Sequence, residues 1–191
     1  MPSLIVIIVA ALPALATESQ KLDAALEAEI RARVDVAQSW AADRAIVRAV
    51  REANETPRTM TEIEAIDAKW IETVGVDEFM RGIIDHPAAE RLRELRASHP
   101  ALREAILTDR LGANVASTNK TSDFYQGDEE KFREAFNDAK GGVYVGSIYR
   151  DESIQSYSVP IGVPVLDEGR VIGVLVITLS VEKLKRMMES K

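Results

Sequence analysis

The chain has 191 residues, of which 46% are hydrophobic and 29% charged, a composition typical of one folded domain with its own core. Its 31 acidic and 24 basic residues give a formal charge of −7, which argues against nucleic acid as the main partner because phosphate binding requires a basic face. The sequence contains no cysteine, which excludes disulfides and thiol chemistry.

The first 16 residues have the pattern of a secretory signal. Nine apolar residues, from Leu4 to Leu12, precede a small-x-small site that ends at Ala16. We expect cleavage after Ala16 and a periplasmic or secreted mature domain spanning 17–191. The apolar run is shorter than the about 20 residues that span a membrane. No Lys or Arg precedes it, however, so an inner-membrane anchor or a buried helix stays open as the alternative.

The segment 17–100 is predicted to be helical. One long helix is expected from Glu18 to about Glu52, with an apolar arc wider than a single seam. This helix packs either within one subunit or partly against a second copy, and the pattern favours neither. The apolar positions that recur every four residues are Leu22, Leu26, Ile30 and Val34.

Three sequence signals mark the ends of the next helices. Pro57 ends the long helix, and Thr59 or Thr61 caps the following one. Asp77 starts another short helix after Gly75.

The segment 101–191 reads as a sheet interrupted by one helix. Strands are predicted at 102–107 and 113–118, and in the runs VYVGSIYR, SIQSYSVPIGVPVL and VIGVLVITLS. A helix is predicted for 128–140, capped by Asp128 rather than built around a calcium loop, and ended by Gly141-Gly142. Residues 167–170 form a hairpin turn, and a last helix begins near Ser180. Helices followed by an antiparallel sheet define an α+β fold.

The run SIQSYSVPIGVPV alternates bulky and small side chains. A strand of this kind presents one bulky face and one small face. The small face suits either the floor of a pocket or the close packing of a helix, and both stay open. The small residues are Ser156, Ser158, Pro160, Gly162 and Pro164.

Several motifs, taken together in order, resemble the Cache domains, which are extracellular PAS-like sensor domains of bacterial receptors. The motifs are ILTDRLGANVASTN, then DFYQGDE, then the long run from GGVYVG to VLVITLS. The resemblance covers about 102–181. It implies a long N-terminal helix on an antiparallel sheet of five to six strands, with a small ligand on the sheet under the loop and helix that follow the central strand.

Two features depart from the family. Receptors of this kind continue into a transmitter, whereas this chain ends at Lys191, so we expect a free-standing exported sensor domain. The amino-acid-binding members carry Arg-x-Trp-Tyr after the loop tyrosine, whereas this chain has DEEKFREAF, so an amino-acid ligand is not supported. A small carboxylate is our first expectation, resting on Lys120 and Arg150.

Seven residues are candidates for ligand contact, each with a structural alternative. A loop tyrosine caps a pocket or covers the sheet edge, and a polar strand end contacts ligand or only solvent. Arg150 beside Asp151 binds an anion or forms a plain turn pair. The candidates are Tyr125, Tyr144, Thr118, Lys120, Arg150, Asp151 and Ser156.

The sequence therefore predicts a small-molecule sensor domain without catalysis, metal or cofactor. A homodimer through the N-terminal helix and a membrane receptor are the expected protein partners. The alternative is a dimeric scaffold whose pocket is filled by its own side chains. A hydrolase is the third hypothesis, and no spacing of acid and base supports it.

Overall fold

A computed structural model of the chain describes residues 12–151 and 155–190, without the side chains of residues 12–23 and 151. The signal predicted for 1–16 falls mostly outside the described residues, and its cleavage stays a prediction. Among the described helices, none is both long and apolar enough to cross a membrane.

The described residues form seven helices and six strands joined by loops, so the predicted α+β fold is confirmed. The helices are α1 Leu12–Ala41, α2 Arg44–Glu55, α3 Met60–Glu72, α4 Glu78–Ile84, α5 Pro87–Ala97, α6 Glu130–Phe136 and α7 Val181–Glu189. The strands are β1 Leu102–Thr108, β2 Asn114–Ser117, β3 Tyr144–Val145, β4 Tyr149–Asp151, β5 Ser156–Asp167 and β6 Arg170–Ser180.

The single long helix predicted for 18–52 is wrong, since α1 ends at Ala41 and a new helix begins at Arg44. Asp43 sits between them with extended backbone, and its carboxylate accepts a hydrogen bond from Ala45 N at 2.9 Å. Arg91 donates to the other carboxylate oxygen at 2.9 Å. Asp43 is therefore the N-cap of α2, a role that periodicity does not distinguish from an exposed helical position.

The caps predicted for the next helices are confirmed. Thr59 and Glu62 form a reciprocal capping box at the start of α3. Asp77 caps α4 by accepting from Met80 N at 2.9 Å. Helix α3 ends at Glu72, shortly before the predicted stop at Gly75.

The helix predicted for 128–140 is shorter, and its cap was assigned to the wrong residue. The N-cap is Glu129 rather than Asp128, and its side chain makes no capping hydrogen bond. The helix ends when Asn137 enters the left-handed region at φ 49°. Asparagine tolerates that region better than most residues, which explains the early stop.

The two glycines predicted to end α6 still satisfy its last carbonyls. Gly141 N donates to Phe136 O at 3.1 Å, and Gly142 N donates to Ala135 O at 2.9 Å. Phe132 and Ala135 are buried and Phe136 packs against them, so these residues form the inner face of α6.

All strands pair antiparallel in the order β2-β1-β6-β5-β3, and β4 also pairs with β5. The run VYVGSIYR forms two short strands rather than one. Tyr144 and Val145 pair with Gly162 and Ile161, and pairing stops opposite Pro160. Proline has no N–H to donate to a ladder, which explains the break.

The sheet has two different faces. Four helices cover one face with the main apolar core, which includes Val159, Ile161 and Val163 of β5. The other face carries Pro160 and Gly162 and is covered by α6. A Cβ on Gly162 would lie 2.4 Å from Lys131 O, so only glycine allows α6 to pack this closely. The two alternatives left open for the small face, a pocket floor and the close packing of a helix, therefore both occur, next to each other on the same face.

Glu182 joins the start of β5 to the start of α7. Its carboxylate accepts from Ser156 Oγ and from Tyr157 N, each at 2.7 Å, and from Ser180 Oγ at 3.2 Å. Burial opposes ionisation here, but these hydrogen bonds outweigh it and lower the pKa of Glu182 from 4.5 to about 2.

We expect Glu182→Gln to lower the unfolding midpoint at pH 7 by about 2–6 °C, because hydrogen bonds to a charged acceptor are lost. A lowered carboxyl pKa stabilises the fold fully above pH 4.5, and that stabilisation disappears as the pH falls toward about 2. The difference between wild type and variant should therefore narrow in acid, measured by denaturant unfolding at several pH values. The exposed Glu189→Gln on the same helix is the control. A difference in stability between wild type and variant that does not change with pH would contradict this role of the Glu182 charge.

Candidate functional site

A cavity of about 650 Å³ lies on the small face of the sheet, beside α6. Its floor is formed by Ile106 of β1, Thr178 of β6 and Pro160 of β5. Its size falls within the range of small-molecule pockets. The remaining lining residues are Glu104, Lys120, Thr121, Ser122, Gln126, Glu129, Glu130, Lys131, Tyr144 and Tyr149.

The loop between β2 and α6 forms one wall and is closed at its base by backbone contacts. Gln126 N donates to Gly112 O at 2.8 Å, and Asn114 N donates to Phe124 O at 3.1 Å. Gly112 has φ 88°, and a Cβ there would lie 2.4 Å from Gly127 Cα. The turn before β2 and the last residues of the loop therefore cross at van der Waals distance.

The turn before β2 is built by Asp109. Its buried carboxylate accepts from Leu111 N at 2.8 Å and from Ala113 N at 3.0 Å. Burial raises the pKa of Asp109, although these backbone donors oppose the shift. The Asp-x-x-Gly motif thus positions the strand that leads into the cavity wall.

Helix α3 holds the outer side of the loop through side chains that the sequence analysis did not identify. Asp67 accepts from Phe124 N at 2.7 Å and from Tyr125 N at 2.9 Å. The buried Trp70 donates its indole N–H to Thr121 O at 2.9 Å. These residues lie about 55 positions before the loop, so spacing alone carried no signal for them.

The cavity contains more negative than positive side chains. Glu104, Glu129 and Glu130 face two lysines across it. Lys131 forms an ion pair with Glu129 at 3.0 Å. Lys120 donates to Thr73 O, at the end of α3, at 2.6 Å.

Two ionisable groups at the cavity have displaced pKa values. Burial and the hydrogen bond that its phenol donates to Glu130, 2.9 Å long, raise the pKa of Tyr144. Burial, with the nearby Glu129 charge, raises the pKa of Asp123, behind the loop. The Asp123 carboxylate accepts a hydrogen bond from the Gln126 amide.

The seven predicted site residues are only partly brought together. Lys120 and Tyr144 line the cavity. Tyr125 does not line it, because its ring lies against Gly127 and packs with an apolar cluster of α3 and α4 that includes Trp70 and Met80. Thr118 is buried beside β1, where its hydroxyl accepts from Ala105 N at 3.0 Å.

The three remaining candidates lie at β4 and the start of β5, and neither Arg150 nor Ser156 is among the described residues that line the cavity. Arg150 hydrogen-bonds to Gln155. Ser156 donates to Glu182. The side chain of Asp151 lies outside the described residues. The neighbouring Tyr149 lines the cavity instead, together with Tyr144. Strict alternation along one strand would put these two tyrosines on opposite faces, but β3 and β4 are separate strands, so the alternation does not continue across the break.

Gln126 is the cavity residue that the sequence gave least reason to choose. Its side chain is 1% exposed, and its Oε1 accepts no hydrogen bond from the described residues. The only sequence signal was its position beside Tyr125 in the loop motif. Oδ1 of Asn114, which is not among the lining residues, is likewise buried without a donor among the described residues, and each such acceptor is unfavourable.

The sequence matches no protein-family model and no curated protein. Solved structures, in contrast, share its fold. The sensor domain of the histidine kinase DctB from V. cholerae is 16% identical, with a TM-score of 0.54 over 91% of this chain and 58% of that one. This chain therefore spans less than two thirds of that domain.

Two chemoreceptor domains are similar at lower scores. The ligand-binding domain of Campylobacter jejuni Tlp3, in complex with 4-methylisoleucine, is 17% identical, with a TM-score of 0.42 over 85% of this chain and 63% of that one. That of Pseudomonas aeruginosa PctC, in complex with GABA, is 13% identical, with a TM-score of 0.39 over 82% and 63%. The fold of this chain is that of the Cache-type sensor domains, which confirms the resemblance in its sequence.

The contacts from α3 lead to a prediction about the cavity wall. We expect Asp67→Ala to speed hydrogen exchange of the Phe124 and Tyr125 amides by about tenfold or more, because both lose their acceptor. Asp67→Asn is the matched control, since its amide oxygen still accepts. Unchanged exchange in Asp67→Ala would mean that the loop does not depend on α3.

Proposed function

We propose that this chain is a sensor domain that binds one small molecule in the cavity on its sheet, without catalysing a reaction. The observation that carries the proposal is the open cavity of about 650 Å³, with an apolar floor and polar groups from the loop and α6 around it. The likeness of its fold to a kinase sensor domain supports the same function.

The cavity supports the sensor hypothesis over the scaffold hypothesis, because a scaffold with a vestigial pocket would have that space filled by side chains. An exported location agrees with the signal-like N-terminus and remains part of the proposal. The ligand acts as a signal only if it binds two states of the domain with different affinity. A second copy of the chain or a membrane receptor would read that difference.

The test uses a substitution that fills the cavity from its floor. Thr178 is 9% exposed and belongs to the central strand β6. A bound ligand at 100 times its dissociation constant adds about 2.7 kcal/mol to the free energy of unfolding and so raises the unfolding midpoint. We expect Thr178→Phe to abolish that rise. The assay is thermal unfolding against amines, carboxylates, amino acids and purines.

Thr178→Val is the matched control, since it keeps the volume of the side chain and should preserve the ligand response. A ligand that raises the midpoint of Thr178→Phe as much as that of wild type would bind elsewhere. A panel that raises no midpoint would favour the scaffold hypothesis.

A homodimer through α1 is the second part of the proposal. A shallow groove between α1 and α7 is lined by Ala25, Ala28, Ala32 and Met188, together with Glu29. Small side chains allow a second helix to approach closely, and Met adapts to different partners. The arc positions Leu26, Ile30 and Val34 pack in the domain's own core, so this alanine surface is a separate, exposed side of α1.

We expect Ala28→Arg to weaken self-association by about tenfold or more, because it places a charge at the centre of this surface. The measurement is sedimentation equilibrium at several concentrations. Gln38→Arg adds the same charge on another side of α1 and should leave association unchanged. Equal effects of the two substitutions would exclude the groove as the dimer surface.

A further inference from the structure

We infer, on the basis of the function proposed above, that ligand binding is transmitted from the cavity to the end of α3 through Lys120. An anionic group on the ligand draws the Lys120 ammonium away from Thr73 O and so loosens the last turn of α3. The small carboxylate expected from the sequence is a ligand of this kind.

Three side chains make the described hydrogen bonds between α3 and the loop that forms the cavity wall. Asp67 and Trp70, both on α3, bind backbone groups of the loop. The third side chain is that of Lys120, which belongs to the loop and donates to Thr73 O at 2.6 Å. Of the three, Lys120 is the one that lines the cavity. A bound molecule can therefore compete for this hydrogen bond, whereas the other two attachments lie outside its reach.

The Lys120 ammonium is held by a neutral acceptor. Among the described residues it forms no ion pair, whereas Lys131, the other lysine that lines the cavity, is paired with Glu129 at 3.0 Å. A hydrogen bond between two charged groups is stronger than one to a neutral carbonyl, and the lysine stem turns about several bonds. An anion in the cavity is therefore a better partner for Lys120 than Thr73 O.

The end of α3 has few other attachments. Thr73 is the C-cap of the helix, where the last carbonyls have no partner within the helix, and a lysine ammonium satisfies such a carbonyl. The next residue, Val74, is 100% exposed. The ion pair between Lys69 and Asp77, 3.4 Å long, lies at the surface, where such pairs contribute little. The conformation of this end therefore depends on Lys120.

Loosening the end of α3 changes the outer surface of the domain. Ile71 and Val76 are 60% and 40% exposed, so together with Val74 they give the turn after α3 an apolar surface. The position of these side chains follows that of Thr73. A sensor requires two states that bind the ligand with different affinity, and the held and released ends of α3 supply them.

The first experiment removes the ammonium. Its readout is hydrogen exchange of the Thr73 amide, which donates to Lys69 O at 3.0 Å in the last turn of α3. We expect Lys120→Met to speed this exchange by about fivefold or more, because the side chain keeps its length but loses its charged donor. Lys131→Met, which removes the other cavity lysine, is the matched control and should leave the exchange unchanged.

The second experiment places a defined charge in the cavity. The chain has no cysteine, so Ser122→Cys in the cavity lining introduces a unique thiol. A methanethiosulfonate reagent attaches a negatively charged sulfonatoethyl group to it, and a neutral hydroxyethyl group attached in the same way is the control. We expect the anion alone to speed Thr73 exchange, and to have no further effect when Ser122→Cys is combined with Lys120→Met. Thermal unfolding of each protein verifies that it is folded.

The outcomes distinguish this inference from the proposed function. Equal Thr73 exchange with the anionic and the neutral group would overturn the inference, and so would unchanged exchange in the folded Lys120→Met variant. Neither result affects the sensor function, which the ligand panel with Thr178→Phe tests separately. If the panel raises no midpoint while the attached anion acts as expected, the sensor function fails and the coupling between cavity and α3 stands.

Discussion

The two-sided β5–β6 hairpin is the constraint on which the rest of this molecule depends. From Val159 to Val165, every second residue of β5 is a branched apolar side chain that enters the main core, and the residues between them, such as Pro160 and Gly162, lie on the opposite face. A one-residue slip would exchange the two faces. Because Gly162 lets the α6 backbone lie directly on the strand, the small face is divided into a packed part under α6 and an open part beside it.

Support for the cavity comes from α3, a helix that contributes none of the lining residues. Helix α3 contributes Asp67 and Trp70 to the outer side of the loop, and Thr73 at its end receives Lys120. Asp67 and Trp70 bind only backbone groups of the wall, so they fix its shape without using the side chains that line the cavity. Lys120 is the lining side chain that also takes part in holding the wall.

Much of the fold could be predicted from sequence because the signals were local. Capping boxes, hairpin turns and strand alternation depend on neighbours within a few residues, and Thr59 with Glu62 shows how well they work. The break at Asp43 was missed because a cap and an exposed helical aspartate look alike. The site residues were predicted less well, since Tyr125 packs outside the cavity whereas Gln126 lines it. That difference depends on long-range packing against α3, which adjacent positions in a loop do not reveal.

The crossing of Gly112 and Gly127 restricts how this protein can diverge. A side chain at Gly112 would strike the Gly127 backbone, and one at Gly127 would strike the ring of Tyr125 and the carbonyl of Leu111. Neither position can change unless the loop is rebuilt around it. Most of the residues that line the cavity are free of such a backbone clash. In related sequences we therefore expect the glycine pair, 15 positions apart, to change less readily than the residues that line the cavity.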